Sequence, residues 1–340
     1  MSLPPSEIPL GAMRFNSDSQ KLEYWNGSAW FQIKTFTPNL EGGARGVFSG
    51  GDPSRDTNMD YITIATRGNG TDFGDFPISN GTGNRGIIGS NTRGFCNGGE
   101  SPSAGDSHNV IGKWEFTSTG SAIDFANLTF TSKGGPGLSN ATRAVQARGY
   151  GAPSITHEDV CFFTMASQQD AVDFGDLISG SSYGGSGIAS PTRGVIITSR
   201  SASVNFVNDI EYVTIATTGS FADFGDVTNI DNSDFTATAG NSTRGVLAGG
   251  QDSPNTQTEI SYVTYATTGN TIKFGDLHTA NSYAAAVSDS ITMITGGGQG
   301  ATNRMDAINI ATGGTSVDSG DLTVSKTTMT GSSNGHGGLG

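Results

Sequence analysis

The chain has 340 residues, 51 glycines and a formal net charge of −13, and 34% of its residues are hydrophobic. It contains no run of 18 apolar residues, which excludes an ordinary transmembrane helix, and its acidic balance argues against nucleic-acid binding, which needs clustered positive charge. Two cysteines are too few for a disulfide framework, so we expect both to be buried thiols.

Residues 1–40 lie outside the repeats described below and predict three short strands, separated by turn-forming residues at 16–19 and 26–27. A segment of this length cannot bury its aromatic side chains by itself. We therefore expect it to be a docking segment that packs on the rest of the chain, on another copy or on a partner. The residues expected to carry the docking are Phe15, Tyr24, Trp25, Trp30 and Phe31.

From residue 41 onward the chain is a series of repeats marked by the motif Phe-Gly-Asp. The motif stands at 73–75, 174–176, 224–226 and 274–276, with weaker copies at 125–127 and 319–321. Six copies at intervals of about 50 residues exclude disorder and predict a repeat architecture.

Each copy contains the signals of four short strands. Apolar residues eleven and nine positions before the motif indicate a strand with one buried face, and a glycine five positions before it, replaced by Gln169 in the third copy, indicates the turn of a hairpin. A run that opens with Arg-Gly or Arg-Ala precedes the hairpin in five copies, and a strand of small residues follows it.

Four strands per copy and six copies predict an all-β fold: a six-bladed β-propeller over residues 41–340, preceded by a small β segment. The first copy has no small-residue strand before it, and residues 327–332 stand where such a strand belongs after the last copy. We expect this C-terminal strand to complete blade one, because it would pair two otherwise exposed edges.

The arginine and aspartate positions that recur in the copies are interpreted as structural. The arginines are Arg45, Arg93, Arg143, Arg193 and Arg244, and the aspartates are Asp75, Asp176, Asp226, Asp276 and Asp321. Each arginine either meets a carboxylate or backbone carbonyls, or lies solvated at a loop mouth. Each aspartate either caps its own turn or, less in keeping with its spacing, serves as a calcium ligand.

No motif of catalysis or metal binding is present. The histidines at 108, 157, 278 and 336 are far apart and are expected at the surface, and the sequence contains no HExxH, Cys-x-x-Cys, Gly-x-Ser-x-Gly or P-loop pattern. We expect a protein that is not an enzyme and that has no cofactor or metal.

The loops that follow the Arg-Gly runs vary between copies, at 52–58, 99–109, 152–158, 200–208 and 251–259. In a propeller these loops emerge on one face, where they either contact a carbohydrate or protein receptor or are tolerant of change with no ligand.

Residues 11–33 resemble a segment of bacteriophage tail-fibre, baseplate and other virion proteins, through Gly11, Arg14-Phe15-Asn16, Asp18, Lys21-Leu22-Glu23 and Asn26-Gly27-Ser28-Ala29-Trp30. The repeats, for instance YVTIATTGSFADFGDV at 212–227, are similar to those of structural proteins of large tailed phages. Their glycine doublets also resemble kelch-type repeats, although the Trp and Tyr marks of kelch repeats are missing.

The resemblance implies a virion component, present in multiple copies, that docks on other virion proteins through residues 1–40. It would be a tail fibre or appendage protein that contacts a host cell-surface glycan or protein. A capsid or neck decoration protein is the alternative, and a glycan-active propeller enzyme is a third reading. Residues 1–11 show no secretory signal, which agrees with assembly in the host cytoplasm.

Overall fold

The computed structural model describes residues 8–16, 21–32, 43–53, 57–76, 86–100, 107–150, 156–182, 184–199, 207–228, 236–252 and 255–340. Contacts divide the chain into two units, Met1–Asn39 and Leu40–Gly340, which we call the N-terminal unit and the repeat unit. The described residues form β-strands and one short 3₁₀ helix, Gly337–Leu339, which confirms the all-β class. None of their helices has the length and apolar character needed to cross a membrane.

The N-terminal unit contains a three-stranded antiparallel sheet of β1 (Met13–Asn16), β2 (Lys21–Trp25) and β3 (Trp30–Gln32). The turn between β2 and β3 forms because the side-chain oxygen of Asn26 accepts hydrogen bonds from the backbone N–H groups of Ser28 and Ala29. Side chains that lie opposite one another on adjacent strands share a face of this sheet.

The repeat unit contains the remaining strands in chain order. They are β4 (Arg45–Ser49), β5 (Asn58–Thr63), β6 (Thr71–Asp75), β7 (Arg93–Glu100), β8 (Ser107–Glu115), β9 (Ile123–Asn127), β10 (Gly137–Ser139), β11 (Arg143–Ala147), β12 (Thr156–Thr164), β13 (Val172–Ser182), β14 (Ser186–Ala189), β15 (Arg193–Ile197), β16 (Asp209–Thr214), β17 (Ala222–Asp226), β18 (Ala237–Gly240), β19 (Arg244–Ala248), β20 (Gln251–Asp252), β21 (Asn255–Thr256), β22 (Glu259–Thr264), β23 (Ile272–Asp276), β24 (Ala285–Ser288), β25 (Thr292–Gly296), β26 (Thr302–Asn309), β27 (Gly314–Thr315), β28 (Val317–Lys326) and β29 (Thr330–Ser333).

Within the described residues these strands form six sheets that share one strand order, besides the small hairpin β20-β21. Sheet 1 is β29-β4-β5-β6, sheet 2 is β7-β8-β9, sheet 3 is β10-β11-β12-β13, sheet 4 is β14-β15-β16-β17, sheet 5 is β18-β19-β22-β23-β27 and sheet 6 is β24-β25-β26-β28. In sheet 2 the first position is taken by Gly89, which bridges Gly94 of β7. The antiparallel four-stranded sheets expected from the repeats are therefore present.

The first strand of each sheet consists of small buried residues, such as Gly-Leu-Ser in β10, Ala-Thr-Ala-Gly in β18 and Thr-Gly-Ser-Ser in β29. These strands approach their counterparts in neighbouring sheets so closely that a Cβ on Gly331 of β29 would collide with the backbone of Ala286 in β24. Glycine is required at such a point because a side chain has no room between the two backbones.

The hydrophobic core of the described residues is divided into six clusters, most of whose members come from two neighbouring sheets. Phe73 and Phe76 of sheet 1 pack with Trp114 of sheet 2, and Leu322 of sheet 6 packs with Ile62 of sheet 1. Thin cores of this kind explain how a chain with few apolar residues still buries aromatic side chains. Both cysteines, at 96 and 161, are buried thiols, as expected.

The Phe-Gly-Asp motif lies in the fourth strand of a sheet and binds the hairpin turn of the next sheet. In sheet 1 the carbonyl oxygens of Phe73 and Asp75 accept hydrogen bonds from the N–H groups of Gly120 and Ala122 in sheet 2, at 2.7 and 2.8 Å. At the other junctions, backbone N–H groups donate to carbonyl oxygens in the same positions. The donor and acceptor residues are Ala171 and Asn127, Gly219 and Phe174, Phe221 and Asp176, Gly269 and Phe224, Thr271 and Asp226, Ser316 and Asp276, Gly68 and Ser319, and Gly70 and Asp321. The last two join sheet 6 to sheet 1.

The glycine of the motif is also required because it lies against the backbone of the next sheet, as the junction of sheets 3 and 4 shows. A Cβ on Gly175 would lie 2.5 Å from the carbonyl carbon of Gly219, whereas a Cβ on Gly219 itself would meet nothing within 4 Å. Both residues have positive φ, 142° and 155°.

We expect Gly175→Ala to lower the free energy of unfolding by about 2–4 kcal/mol, because it combines backbone strain with overpacking. Gly219→Ala is the matched control and should cost only about 1–2 kcal/mol, because it carries the strain alone. Urea unfolding of the two variants measures the difference. Equal losses would show that the contact between the glycines is not tight.

Residues 334–338 contact all six sheets. Asn334 binds the backbone of Arg45 in sheet 1 and of Asn91 at the edge of sheet 2. His336 reaches Gly89 and Ser139, in sheets 2 and 3. A Cβ on Gly337 would collide with Ala189 at the end of β14 and with Asn241 just after β18, and a Cβ on Gly335 would collide with Ala44 and lie close to Asp289. The six sheets therefore converge on this segment.

Candidate functional site

The five recurring arginines each bind the next sheet through a backbone carbonyl. The bonds run from Nη1 of Arg45, Arg93, Arg143, Arg193 and Arg244 to the carbonyl oxygens of Phe116, Met165, Ile215, Tyr265 and Ala311, at 2.5 to 2.9 Å. The acceptor lies just beyond the third strand of the following sheet in every case. The guanidinium groups thus satisfy turn carbonyls and hold neighbouring sheets together.

Four of these arginines also stack on an aromatic ring of their own sheet. The distances from the guanidinium carbon to the ring centroid are 4.4 Å for Arg45 on Tyr61, 4.2 Å for Arg143 on Phe162, 4.6 Å for Arg193 on Tyr212 and 4.4 Å for Arg244 on Tyr262. Each ring meets the motif phenylalanine edge to face. A cation, a ring and a second ring therefore form one stack in four of the sheets.

The motif aspartates lie in the fourth strands, at the last residue of β6, β17 and β23 and in the middle of the longer β13 and β28. The carboxylates of Asp75 and Asp276 accept hydrogen bonds from the hydroxyl groups of Thr57 and Thr258, at 3.0 and 3.2 Å. Asp176, Asp226 and Asp321 are exposed. Over the described residues, no group of three or more His, Cys, Asp or Glu side chains is arranged to hold a metal ion.

Sheet 2 departs from the framework at two positions of its third strand. Lys113 replaces the stacked aromatic ring, and Glu115 replaces the threonine that lies opposite the arginine in sheets 1, 3, 4 and 5. Glu115 Oε1 lies 3.2 Å from Arg93 Nε and 2.9 Å from Lys113 Nζ. Two cations and one carboxylate leave a net charge of +1 at this point of an acidic chain.

Two cavities border this charged group. One, of about 330 Å³, lies between sheets 2 and 3 and is lined by Ser90, Asn91, Thr92, Arg93, Ala141, Met165 and Ala166. The other, of about 130 Å³, is lined by Lys113, Glu115 and the hairpin turn of sheet 2. We call the larger one the sheet 2–3 pocket.

The junction that holds the sheet 2–3 pocket lacks two links found elsewhere. Its glycine pair is replaced by Ala126 and Gln169, the two exceptions to the repeat pattern, which stand at corresponding positions of the two sheets. At the junctions of sheets 3–4 and 5–6, the amides of Asn140 and Asn241 donate to the next loop, at Pro191 O and Ser290 O. Serine occupies that position in sheets 2 and 4, as Ser90 and Ser190, and its shorter side chain binds its own loop, at the N–H of Arg93 and of Arg193.

The N-terminal sheet has one apolar face and one polar and aromatic face. Phe15 pairs with Leu22, Tyr24 pairs with both Met13 and Phe31, and these five side chains share the apolar face. They are exposed: Met13 by 59%, Phe15 by 66%, Leu22 by 40%, Tyr24 by 40% and Phe31 by 48%. The docking residues predicted from the sequence do not include Met13 and Leu22, because that prediction rests on aromatic side chains and these two are not aromatic.

The opposite face of the same sheet is internally paired. Arg14 Nε lies 2.9 Å from Glu23 Oε2, and its guanidinium stacks 4.2 Å from the Trp30 ring. Trp25 is 6% exposed and lies 5.6 Å from Trp30, ring to ring. The five aromatic residues expected to dock together are therefore divided between two faces, three on the apolar face and two on this one.

Of the histidines expected at the surface, His336 is buried and His108 is half-buried. His336 is 4% exposed, and burial lowers the pKa of its imidazole to about 4. The pKa of His108 is likewise lowered to about 4 by burial. Large parts of the variable loops predicted as a rim, at 54–56, 101–106, 151–155, 200–206 and 253–254, lie outside the described residues.

Comparison with models of known protein families gives no match. A search of curated proteins gives no match either.

Proposed function

We propose that the chain is a structural component of a tailed-phage virion, a tail fibre or appendage protein that contacts the host surface. In this proposal the N-terminal unit docks on another virion protein, and the repeat unit is a six-bladed propeller that is displayed outward. The likeness of residues 11–33 and of the repeats to phage structural proteins supports the setting.

The propeller is supported by the hydrogen bonds between sheets. They run from each sheet to the next and from sheet 6 back to sheet 1, where Gly70 N donates to Asp321 O at 2.7 Å. The pairing of β29 with β4, with Ser332 opposite Val47, supports closure by the C-terminal strand. Convergence of all six sheets on residues 334–338 agrees with a single axis.

A scaffold role, in place of catalysis, is supported by what the recurring residues do. All five arginines use Nη1 to bind backbone carbonyls of the neighbouring sheet. A residue that serves the same contact at five junctions is explained by the repeat architecture itself, because each unit is stable only when packed on its neighbours.

One observation carries the docking role: the exposed apolar face of the N-terminal sheet. At ~200 Å² for a fully exposed large side chain, its five residues expose roughly 500 Å², the size of the largest apolar patches on monomeric proteins, which are often functional. The polar groups of the opposite face are satisfied within the sheet. The apolar face is therefore the one left to bury against a partner.

We expect the double variant Phe15→Ser, Phe31→Ser to fail to co-sediment with purified virions, while its thermal unfolding remains that of the unchanged repeat unit. Ile123→Ser, Val172→Ser removes side chains of similar exposure, 55% and 52%, from the repeat unit and serves as the matched control. An antibody against the chain measures its content in the particles.

Wild-type levels of the Phe15, Phe31 variant in virions would overturn the docking role, as would absence of the wild-type chain from every purified particle. If virions that lack the chain bind host cells as well as virions that carry it, the chain is a decoration protein.

A further inference from the structure

We propose that the sheet 2–3 pocket binds an acidic sugar residue, a ring that carries both hydroxyl groups and a carboxylate. This inference adds a ligand to the host-surface role proposed above and rests on it. It concerns the repeat unit alone and does not involve the apolar face of the N-terminal sheet.

The position of the pocket is the first reason. The framework residues of a repeat protein serve contacts between neighbouring units, so a side chain that replaces one of them is available for another role. Lys113, Glu115, Ala126 and Gln169 depart from the framework, and all four belong to sheet 2 or to its junction with sheet 3. The cavity of about 330 Å³ lies at that same junction.

The chemistry of the walls selects the ligand class. Ser90, Asn91 and Thr92 supply hydroxyl and amide groups suited to sugar hydroxyls, and Ala141 and Met165 supply a small apolar surface for the ring carbons. The residues that line the pocket include neither a carboxylate, which would favour a cation, nor an aromatic ring, which would favour a stacked base. The volume lies at the lower end of the range for small-molecule pockets, about 300–1,000 Å³.

Arg93 selects a carboxylate on that sugar. Its Nη1 donates to the carbonyl oxygens of Met165 and Ala166, at 2.8 and 3.1 Å, and its Nε faces Glu115. The two N–H groups of Nη2 remain for a ligand, and a charged donor forms a stronger hydrogen bond with a carboxylate than with a neutral hydroxyl group. Glu115 positions Arg93 in sheet 2, where the aromatic ring that holds the arginine in sheets 1, 3, 4 and 5 is replaced by Lys113.

The loop that forms one wall is held in place before any ligand binds. Ser90 Oγ accepts a hydrogen bond from the N–H of Arg93 at 3.0 Å, and Asn334 Nδ2 donates to Asn91 O at 3.4 Å. A preorganised wall lowers the entropy that a ligand loses on binding.

The test measures binding of glucuronic-acid oligosaccharides to the full-length chain by calorimetry, with glucose oligosaccharides of equal length as the neutral probe. We expect the acidic probe to bind at least tenfold more tightly. Ala166→Trp fills the pocket and should reduce binding at least tenfold. Ala216→Trp, at the corresponding exposed position of sheet 4, is the matched control and should leave binding unchanged.

A second variant separates positioning from folding. Lys113→Tyr, Glu115→Thr gives sheet 2 the residues that sheets 4 and 5 carry, so it should fold and keep its melting temperature while losing at least tenfold in affinity for the acidic probe. Equal binding by this variant would overturn the role assigned to Glu115.

Three outcomes would overturn the sugar assignment. They are equal affinity for acidic and neutral probes, unchanged binding by Ala166→Trp, and competition by acetate as strong as that by the oligosaccharide, which would make the pocket a simple anion site. None of them affects the docking role, which is measured on the N-terminal unit.

Discussion

A chain that ends at Lys326 is expected to lose cooperative unfolding altogether, or to melt far below the full-length protein. The missing residues 327–340 include β29, which pairs with β4 from Thr330 opposite Ser49 to Ser333 opposite Gly46. They also include Met329, which is 4% exposed in the cluster shared by sheets 6 and 1.

The expected loss is large because several contributions act together. A buried methionine side chain is worth about 2–5 kcal/mol, and each hydrogen bond of the ladder contributes about 1 kcal/mol. With His336 and its neighbours removed as well, the total is on the order of 10 kcal/mol, comparable with the whole stability of a typical domain, about 5–15 kcal/mol. Thermal unfolding followed by circular dichroism measures the effect.

A permuted chain separates the loss of β29 from the loss of chain length. Asn334 Oδ1 accepts a hydrogen bond from Arg45 N at 2.8 Å, just as Asn140 Oδ1 accepts one from Arg143 N at 2.9 Å. Residues 327–334 joined through Ala-Thr to residues 45–326 copy the loop of sheet 3. We expect this permuted chain to unfold cooperatively. A chain ending at Lys326 with an unchanged melting temperature would contradict the role of β29.

We further expect the stability of the protein to fall steeply between pH 6.5 and pH 4, with His336 responsible for about 3 kcal/mol of the loss. The pKa of the buried imidazole is about 4, against an ordinary value of 6.5 in the unfolded chain. A tenfold change in a proton-binding constant is worth about 1.4 kcal/mol, so the difference between the two pKa values amounts to about 3 kcal/mol.

The sign follows from which state binds the proton. Between pH 6.5 and pH 4 the unfolded chain is protonated at this histidine and the folded chain is not, so acid favours unfolding. The contribution is fully present above pH 6.5 and lost below pH 4. Burial raises the pKa of the Asp60 and Glu211 carboxyls, which stabilises the folded state towards acid and offsets part of the fall.

The hydrogen bonds of His336 agree with a neutral ring. Nε2 lies 2.9 Å from the carbonyl oxygen of Gly89, so Nε2 carries a proton and donates it. Nδ1 accepts a hydrogen bond from the N–H of Gly338 at 3.2 Å, so Nδ1 carries no proton. A second proton on Nδ1 would face that N–H group. Ile87, Ile188, Ala189 and Ala239 line the small space beside the ring, and these residues offer no compensating charge.

Urea unfolding from pH 4 to pH 7.5 tests this expectation. His336→Gln should reduce the fall in the free energy of unfolding between pH 7.5 and pH 4 by about 3 kcal/mol. His108→Gln should reduce the same fall independently. His278→Gln, at an exposed position, is the matched control for the substitution itself. Parallel curves for wild type and His336→Gln would contradict the assignment.

The periodic part of this fold could be predicted from the sequence, because its signals are local. Apolar residues two apart mark a strand, a glycine marks its turn, and the same spacing six times over marks six sheets. The four-stranded antiparallel sheets and the two buried cysteines follow from these signals. The recurrence of the arginines likewise indicates a framework role, although it does not identify their carbonyl partners.

The remaining features depend on residues far apart in the chain. Nothing near Phe15 shows that Trp25 turns to the other face, because pairing register decides it. The burial of His336 arises from six sheets converging on residues 334–338, and the placing of the Ala126 and Gln169 positions at one junction arises from the packing of one copy on the next. The sequence alone determined the strands and their repetition, since these need only neighbouring residues. The tertiary structure alone decided which exceptions meet in space, since that depends on how the sheets pack.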